Sequence, residues 1–240
     1  MIEFTPFDGV LLVDKPTAWT SHDVVAKVRA HFGFKKVGHC GTLDPMATGL
    51  LVLVLGRATR LSEKLTSDDK AYDGTILLGV TTNTEDADGK PLETKPVPPL
   101  TEADLQAVLQ KFRGDIYQTP PMVSAIKHQG RPLYKLARKG IEVEREPRLV
   151  HIYDLRLLGM ELPRVKFRMA CSKGTYVRTL AADIGRALGC GAHLAELRRT
   201  AAGSFKLEQA HTLEQILAQP RAELTQWIMP ILDVARLIKP

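Results

Sequence analysis

A chain of 240 residues, 44% hydrophobic and 25% charged, has ordinary globular composition and enough length for one sizeable core with decorations. Lys and Arg outnumber Asp and Glu by 33 to 27, and a pI near 9.2 implies a surface that attracts polyanions, nucleic acid first and anionic membrane second. Three cysteines (Cys40, Cys171, Cys190) with no C-x-x-C pair argue against a disulfide framework or a zinc site. The longest aliphatic run, Leu50 to Leu55, is too short to span a bilayer, and acids at Glu3 and Asp8 replace the basic start of an export signal, so a cytoplasmic protein is expected.

Val10 to Val13 reads as a short buried strand ending at Asp14-Lys15-Pro16. Thr17 to Thr20 is then a turn, and Ser21 caps a helix whose Val24, Val25 and Val28 share one face. After Gly33 comes a polar, glycine-containing loop from Lys35 to Gly49, followed by LLVLVLG, apolar on both faces as a central strand is. Arg57 to Leu65 is predicted helical, YDGTILLGV at 72–80 a strand, and TEDADGK at 84–90 an acidic turn that matches no complete calcium loop. KPVPPL at 95–100 is a proline-rich joint, and Thr101 with acids at 102 and 104 opens a helix with Leu105, Val108 and Leu109 on one side.

From Lys127 to Arg148 seven Lys or Arg residues face three Glu, with Tyr134 and Leu136 interleaved. This is a mobile basic insertion with a turn or two of helix stopped by Gly140, or, on the plainer reading, a solvated helix face. Strands are predicted at Leu149–Leu158 and Val165–Cys171, the second alternating Val165, Phe167 and Met169 with Lys166 and Arg168. A helix from Thr175 to Leu188 ended by Gly189, a second short helix from His193 to Arg199 and a late strand from Ser204 to Gln209 follow. Strands outnumber helices and their short links suit antiparallel pairing, so the expected architecture is α+β with a mixed sheet.

Asp44 precedes Pro45, and an Asp-Pro pair is a common helix start, where the carboxylate caps free N–H groups. The alternative is chemistry: Gly38, Gly41 and Gly49 permit close backbone approach to a ligand, and His39 and Thr42 add hydrogen-bonding groups. His39 and Cys40 lack the partners of a thiol protease or a metal site. Lys173 and Gly174 ahead of a helix, with Arg178 in it, offer an anion site without the full G-x-x-x-x-G-K-[ST] pattern. Arg178 is otherwise a surface residue paired with Asp183, and Tyr72 an edge aromatic on its strand.

Five ordered segments together resemble the pseudouridine synthases of the bacterial tRNA pseudouridine synthase B type. They are GVLLVDKPTAWTSHDVV (9–25), GHCGTLDPMATGLLVLVLGRATRL (38–61), DKAYDGTILLG (69–79), PPMVSAIKHQGRPLYKLARKGIEVEREPR (120–148) and CSKGTYVRTLAADIGRALGCGAHLAELRR (171–199). The resemblance implies the pseudouridine synthase fold, a largely antiparallel mixed sheet with flanking helices and a basic insertion. It implies conversion of the uridine at tRNA position 55, in the TΨC loop, to pseudouridine. Asp44 falls on the catalytic nucleophile, Arg178 on the arginine paired with it, and Tyr72 on the tyrosine that stacks on the target base. His39 falls on the histidine that helps hold the extruded nucleotides, and Tyr176 and Leu197 on the lining of the uracil pocket.

The insertion, about residues 120–148, resembles the family's segment that closes over the T-arm. Lys127, Arg131, Lys135, Arg138 and Lys139, together with Lys15, are the expected contacts to RNA phosphates. No metal or organic cofactor is required by this chemistry, and a monomer without an obligate protein partner or a membrane is expected. On this reading 1–211 is the catalytic domain and 212–240 a shortened C-terminal segment, the family's full C-terminal RNA-binding domain being absent. Two alternatives stay open: a guide-RNA-directed relative, and a non-catalytic module that binds or folds tRNA and has no need of Asp44.

Overall fold

The computed structural model describes residues 4–124, 126–137 and 139–238. They form two compact units, one within residues 4–72 and 197–238, the other within 73–196. The boundaries fall inside the strands Lys70–Leu78 and Ala192–Ala202.

The first unit is built on the strand Thr48–Leu55, in which every residue from Gly49 to Leu55 is buried, as an apolar run with no polar face requires. Along one edge it pairs antiparallel with Gly9–Lys15, from Gly9↔Leu55 to Lys15↔Gly49. Its other edge takes Val37–Cys40 antiparallel and, in parallel, Arg198 and Arg199 opposite Thr48 and Gly49. Gly9–Lys15 in turn receives His211–Thr212 in parallel and Ile228–Pro230 antiparallel. The C-terminal segment is thus woven into this unit, and Val234 packs in one core with Val10, Val52, Val54 and Phe205.

In the second unit Arg148–Glu161 lies antiparallel between Arg164–Cys171 and Gly114–Gln118. Val165, Phe167 and Met169 are buried while Lys166 and Arg168 are exposed, the predicted alternation. The helices Glu102–Gln110, capped by Thr101 and Asp104, and Val177–Ala187 complete it. The architecture is α+β with a largely antiparallel, mixed sheet.

Four local expectations change. The first helix, Ser21–Phe32, is capped not by Ser21 but by Thr20, in a box with Asp23, which frees the buried Ser21 hydroxyl for another use. Within the expected loop 35–49, Val37–Cys40 is a strand, because the long apolar strand beside it offers an unpaired edge. The expected helix at 193–199 is part of the strand Ala192–Ala202. Leu194 and Leu197 suit one helical face, but pairing with Thr48 and Gly49 imposes a period of two, burying Leu197 and Arg199 and turning Arg198 outward. The late strand shrinks to Phe205–Lys206, followed by a single 3-10 turn.

Candidate active site

In the first unit Asp44 is half-buried and opens a β-turn: the Ala47 N–H donates to the Asp44 carbonyl at 3.1 Å, with Pro45 and Met46 at the corners. The turn leads into a strand, so Asp44 does not cap a helix. Buried groups hold its backbone. The Ser21 hydroxyl accepts from the Leu43 N–H at 2.8 Å and donates to the Leu43 carbonyl at 3.1 Å. The Pro45 carbonyl accepts from the Ala18 N–H at 2.9 Å and from Lys15 Nζ at 3.3 Å.

Lys15 also donates to the carbonyls of Trp19 at 2.7 Å and Pro16 at 2.9 Å and has no exposed surface. The expectation that Lys15 meets an RNA phosphate is therefore corrected, since the residue is fully buried and its ammonium donates to the fold's own carbonyls. Arg199, also buried, donates through Nε to the Leu50 carbonyl at 2.7 Å and through Nη2 to the Gly41 carbonyl at 3.0 Å. Gly49, at φ +96°, has no room for a Cβ, which would stand 2.4 Å from the Arg199 carbonyl oxygen. The glycine expected to admit a ligand admits the protein's own backbone.

His39 lies on Val37–Cys40 opposite Leu53, its ring edge-on to His22 at 5.8 Å between centroids. Burial, and then the charges of His22 and Arg199, hold its pKa down to about 4, so the ring is neutral at physiological pH. Its Nδ1 is buried without a hydrogen-bond partner among the described residues. Burial pushes the neighbouring Cys40 thiol up to about 11, which removes it as a nucleophile. Tyr72 and Leu197 are nearly buried, at 8% and 7% exposure, so Tyr72 is no surface edge aromatic.

In the second unit Tyr176 is the residue before the helix Val177–Ala187, and the side-chain amide of buried Gln118 grips it on both sides. Gln118 accepts from the Tyr176 N–H at 3.0 Å and donates to its carbonyl at 3.3 Å. Arg178 is only 4% exposed. It donates to the carbonyls of Val123 at 2.8 Å and Thr84 at 3.2 Å, and its Nε lies 3.6 Å from a carboxylate oxygen of buried Asp86. Asp183 pairs instead with Arg186 at 2.5 Å, because residues three apart share a helix face and residues five apart do not. The surface-pair reading of Arg178 is thereby overturned. So is an anion site shared with Lys173, which is exposed while the guanidinium is drawn inward.

Asp86 was missed by sequence reasoning. The acidic turn around it was visible, but not that this one acid of the turn would be buried and need a cation.

The basic insertion contains a small hairpin, Lys127–His128 with Arg131–Pro132, and the helical turn Leu133–Ala137. Gly140 follows at φ +71° as the predicted stop. Arg145 donates to the Pro120 carbonyl at 3.0 Å, tying the end of the segment to its beginning. Arg131, Lys135 and Lys139 are exposed; the Lys127 side chain and Arg138 lie outside the described residues. Five residues are too few for a long solvated helix face, which leaves the insertion reading.

Among the described residues no helix is long and apolar enough to cross a membrane. The structure matches a chain of a Cbf5-Nop10-Gar1 complex with a TM-score of 0.77 and 30% identity, over 97% of this chain and 63% of that one. A chain of an archaeal box H/ACA Nop10-Cbf5 complex matches with a TM-score of 0.71 and 30% identity, over 95% of this chain and 61% of that one. The fold is thus that of pseudouridine synthases. The family model for the N-terminal domain of TruB family pseudouridylate synthases matches residues 29–177, and that for the C-terminal domain of tRNA pseudouridylate synthase B matches 178–234. The chain belongs to the TruB family. It is 58% identical to the tRNA pseudouridine synthase B of Opitutus terrae over 95% of both chains, and 55% identical to that of Stutzerimonas stutzeri over 87% of this chain and 68% of the relative.

Proposed function

We propose that this enzyme isomerises the uridine at position 55 in the TΨC loop of tRNA to pseudouridine, with Asp44 as the nucleophile. The observation that carries the reading is the carboxylate of Asp44 on a turn fixed by buried polar groups, in a chain whose relatives are named for this reaction. The substrate base is stacked within a folded loop, so it is first flipped out. The N1–C1′ bond then breaks, the uracil turns, and C5 joins C1′; the C5 proton is lost and N1 gains one, so the atoms balance without a co-reactant.

A charged Asp44 serves this sequence as a glycosyl-ester nucleophile, as the base that removes the C2′ proton to give a glycal, or by attack on uracil C6. Arg178 is assigned to the counter-ion of that carboxylate by the family resemblance. Within its own unit, Asp86 and the carbonyls of Val123 and Thr84 hold its guanidinium. Tyr72 is assigned to stacking on uracil, a contact worth about 1–3 kcal/mol. His39 is assigned to the extruded nucleotides, Tyr176 and Leu197 to the pocket, and the exposed cations of the insertion to the T-arm backbone. On this reading the enzyme acts as a monomer in the cytoplasm, and cysteines without a C-x-x-C pair suit a reducing compartment.

The test is to incubate the protein with an unmodified tRNA transcript, without guide RNA, and assay pseudouridine at the T-loop beside an Asp44→Asn variant. Product from the wild type alone is expected. No product from the wild type, or equal product from the variant, overturns the reading; product that needs an added guide RNA moves the protein to the guided class.

A further inference from the structure

A nucleophile on a loop works only if the loop is held to a fraction of an ångström, and the stretch from Gly41 to Ala47 leaves the sheet before it returns. Two buried side chains from different elements grip its backbone. Arg199, on Ala192–Ala202, bonds the Gly41 and Leu50 carbonyls with one planar guanidinium, so a single rigid fork ties the first residue of the loop to the strand Thr48–Leu55 into which it returns. Ser21, on the first turn of Ser21–Phe32, bonds both the N–H and the carbonyl of Leu43. That carbonyl belongs to the peptide plane joining Leu43 to Asp44. Fixing that plane places the Asp44 N and Cα, and the bond from the Ala47 N–H to the Asp44 carbonyl at 3.1 Å holds the next peptide, so together they restrict the direction in which the Asp44 side chain leaves the backbone.

Neither residue is explained by its own element. Thr20 and Asp23 already cap the helix, so the Ser21 hydroxyl is spare for helix formation. Arg199 is 1% exposed and no carboxylate neutralises it among the described residues, an expensive choice where a Met or Leu would fill the same volume. Local rules broken in this way, at two positions that converge on one short loop, mark residues kept for function.

We infer that Ser21 and Arg199 are positioning residues for Asp44, holding its turn in the reactive geometry before RNA arrives. The inference rests on the reading of Asp44 as the nucleophile and adds to it the groups that aim the carboxylate. Neither residue need touch RNA, so the loss on mutation falls on the chemical step and not on binding.

The experiment measures single-turnover pseudouridine formation on the tRNA transcript and, separately, tRNA Kd. The full-length variants are Ser21→Ala, Ser21→Cys, Arg199→Lys and Asp44→Asn. Ile216→Val, which trims a fully buried side chain in Leu213–Ala218, is the control for general loosening. Ser21→Ala is expected to slow the single-turnover step about ten- to a hundredfold with Kd changed less than about twofold. Ser21→Cys, of the same shape with a weaker donor, restores part of the rate. Arg199→Lys, which has no fork to reach both carbonyls, loses about tenfold.

Ile216→Val is expected to lower the thermal midpoint and keep the wild-type rate. Wild-type rates for Ser21→Ala and Arg199→Lys beside an inactive Asp44→Asn overturn the inference and leave the nucleophile in place. So do losses no larger than those of Ile216→Val at matched stability, or losses wholly accounted for by Kd. If Ser21→Ala does not fold, Ser21→Cys and Arg199→Lys are judged by the same criteria. An active Asp44→Asn is a different failure, since it overturns the nucleophile reading and this inference with it.

Discussion

His39 ties the first unit to pH through one ring. In the unfolded chain it takes up a proton near 6.5, but in the folded protein burial, aided by the charges of His22 and Arg199, delays protonation to about 4. Between those values the unfolded chain binds more protons, so the contribution is fully present above the unfolded pKa and is lost as pH falls through the window. Thermal midpoints compared at about pH 7 and about pH 4.5 should therefore fall further for the wild type than for His39→Gln. Equal falls would mean that the imidazole is not held neutral by the fold. The same scale explains why the alternative reading of Arg178, as a surface residue paired with Asp183, fails: whether an arginine on a helix meets Asp183 or Asp86 depends on which way the helix faces. No spacing along the chain encodes that.

At the scale of elements, the strand Ala192–Ala202 shows tertiary pairing overriding a helical pattern, and the cost of missing it is functional, because that strand delivers both Leu197 and the Arg199 fork. The basic insertion is the opposite case. Its cations, interleaved apolar residues and stopping glycine were all visible in the sequence, and the helical turn Leu133–Ala137 falls where they place it. Its exposed Arg131, Lys135 and Lys139 make an electrostatic prediction. Replacing all three by Ala should weaken tRNA binding and lower the slope of log Kd against log salt by about 2–3, roughly one counterion per lost phosphate contact. An unchanged slope would remove the segment from the RNA interface.

At the scale of the whole molecule, residues 211–238 are less an appendage than a part of the first unit's core. Leu213, Ile216, Leu224, Ile228 and Val234 are all at most 5% exposed, and Ile228–Pro230 pairs along Gly9–Leu11. Burying five such side chains is worth on the order of 10 kcal/mol, as much as a typical domain's entire stability. A chain ended after Ala210 should therefore fail to give a cooperative thermal transition by circular dichroism. A truncated chain that melts cooperatively near the wild-type temperature would show the segment to be dispensable.

Composition and periodicity by themselves determined the α+β class, the central strand and the basic insertion, because hydrophobic period and turn residues are local properties of the chain; the choice of Asp44 over a mere turn residue rests on what the family resemblance implies. Only the tertiary structure decided that Lys15 is a buried strut and no phosphate ligand, that Asp86 balances Arg178, and that Ser21 and Arg199 brace the Asp44 turn. Each of those depends on burial and on partners 22 to 158 residues away in the chain, as with Ser21 to Leu43 and Arg199 to Gly41. A polar residue looks alike in the sequence whether water or the fold's own carbonyls will solvate it.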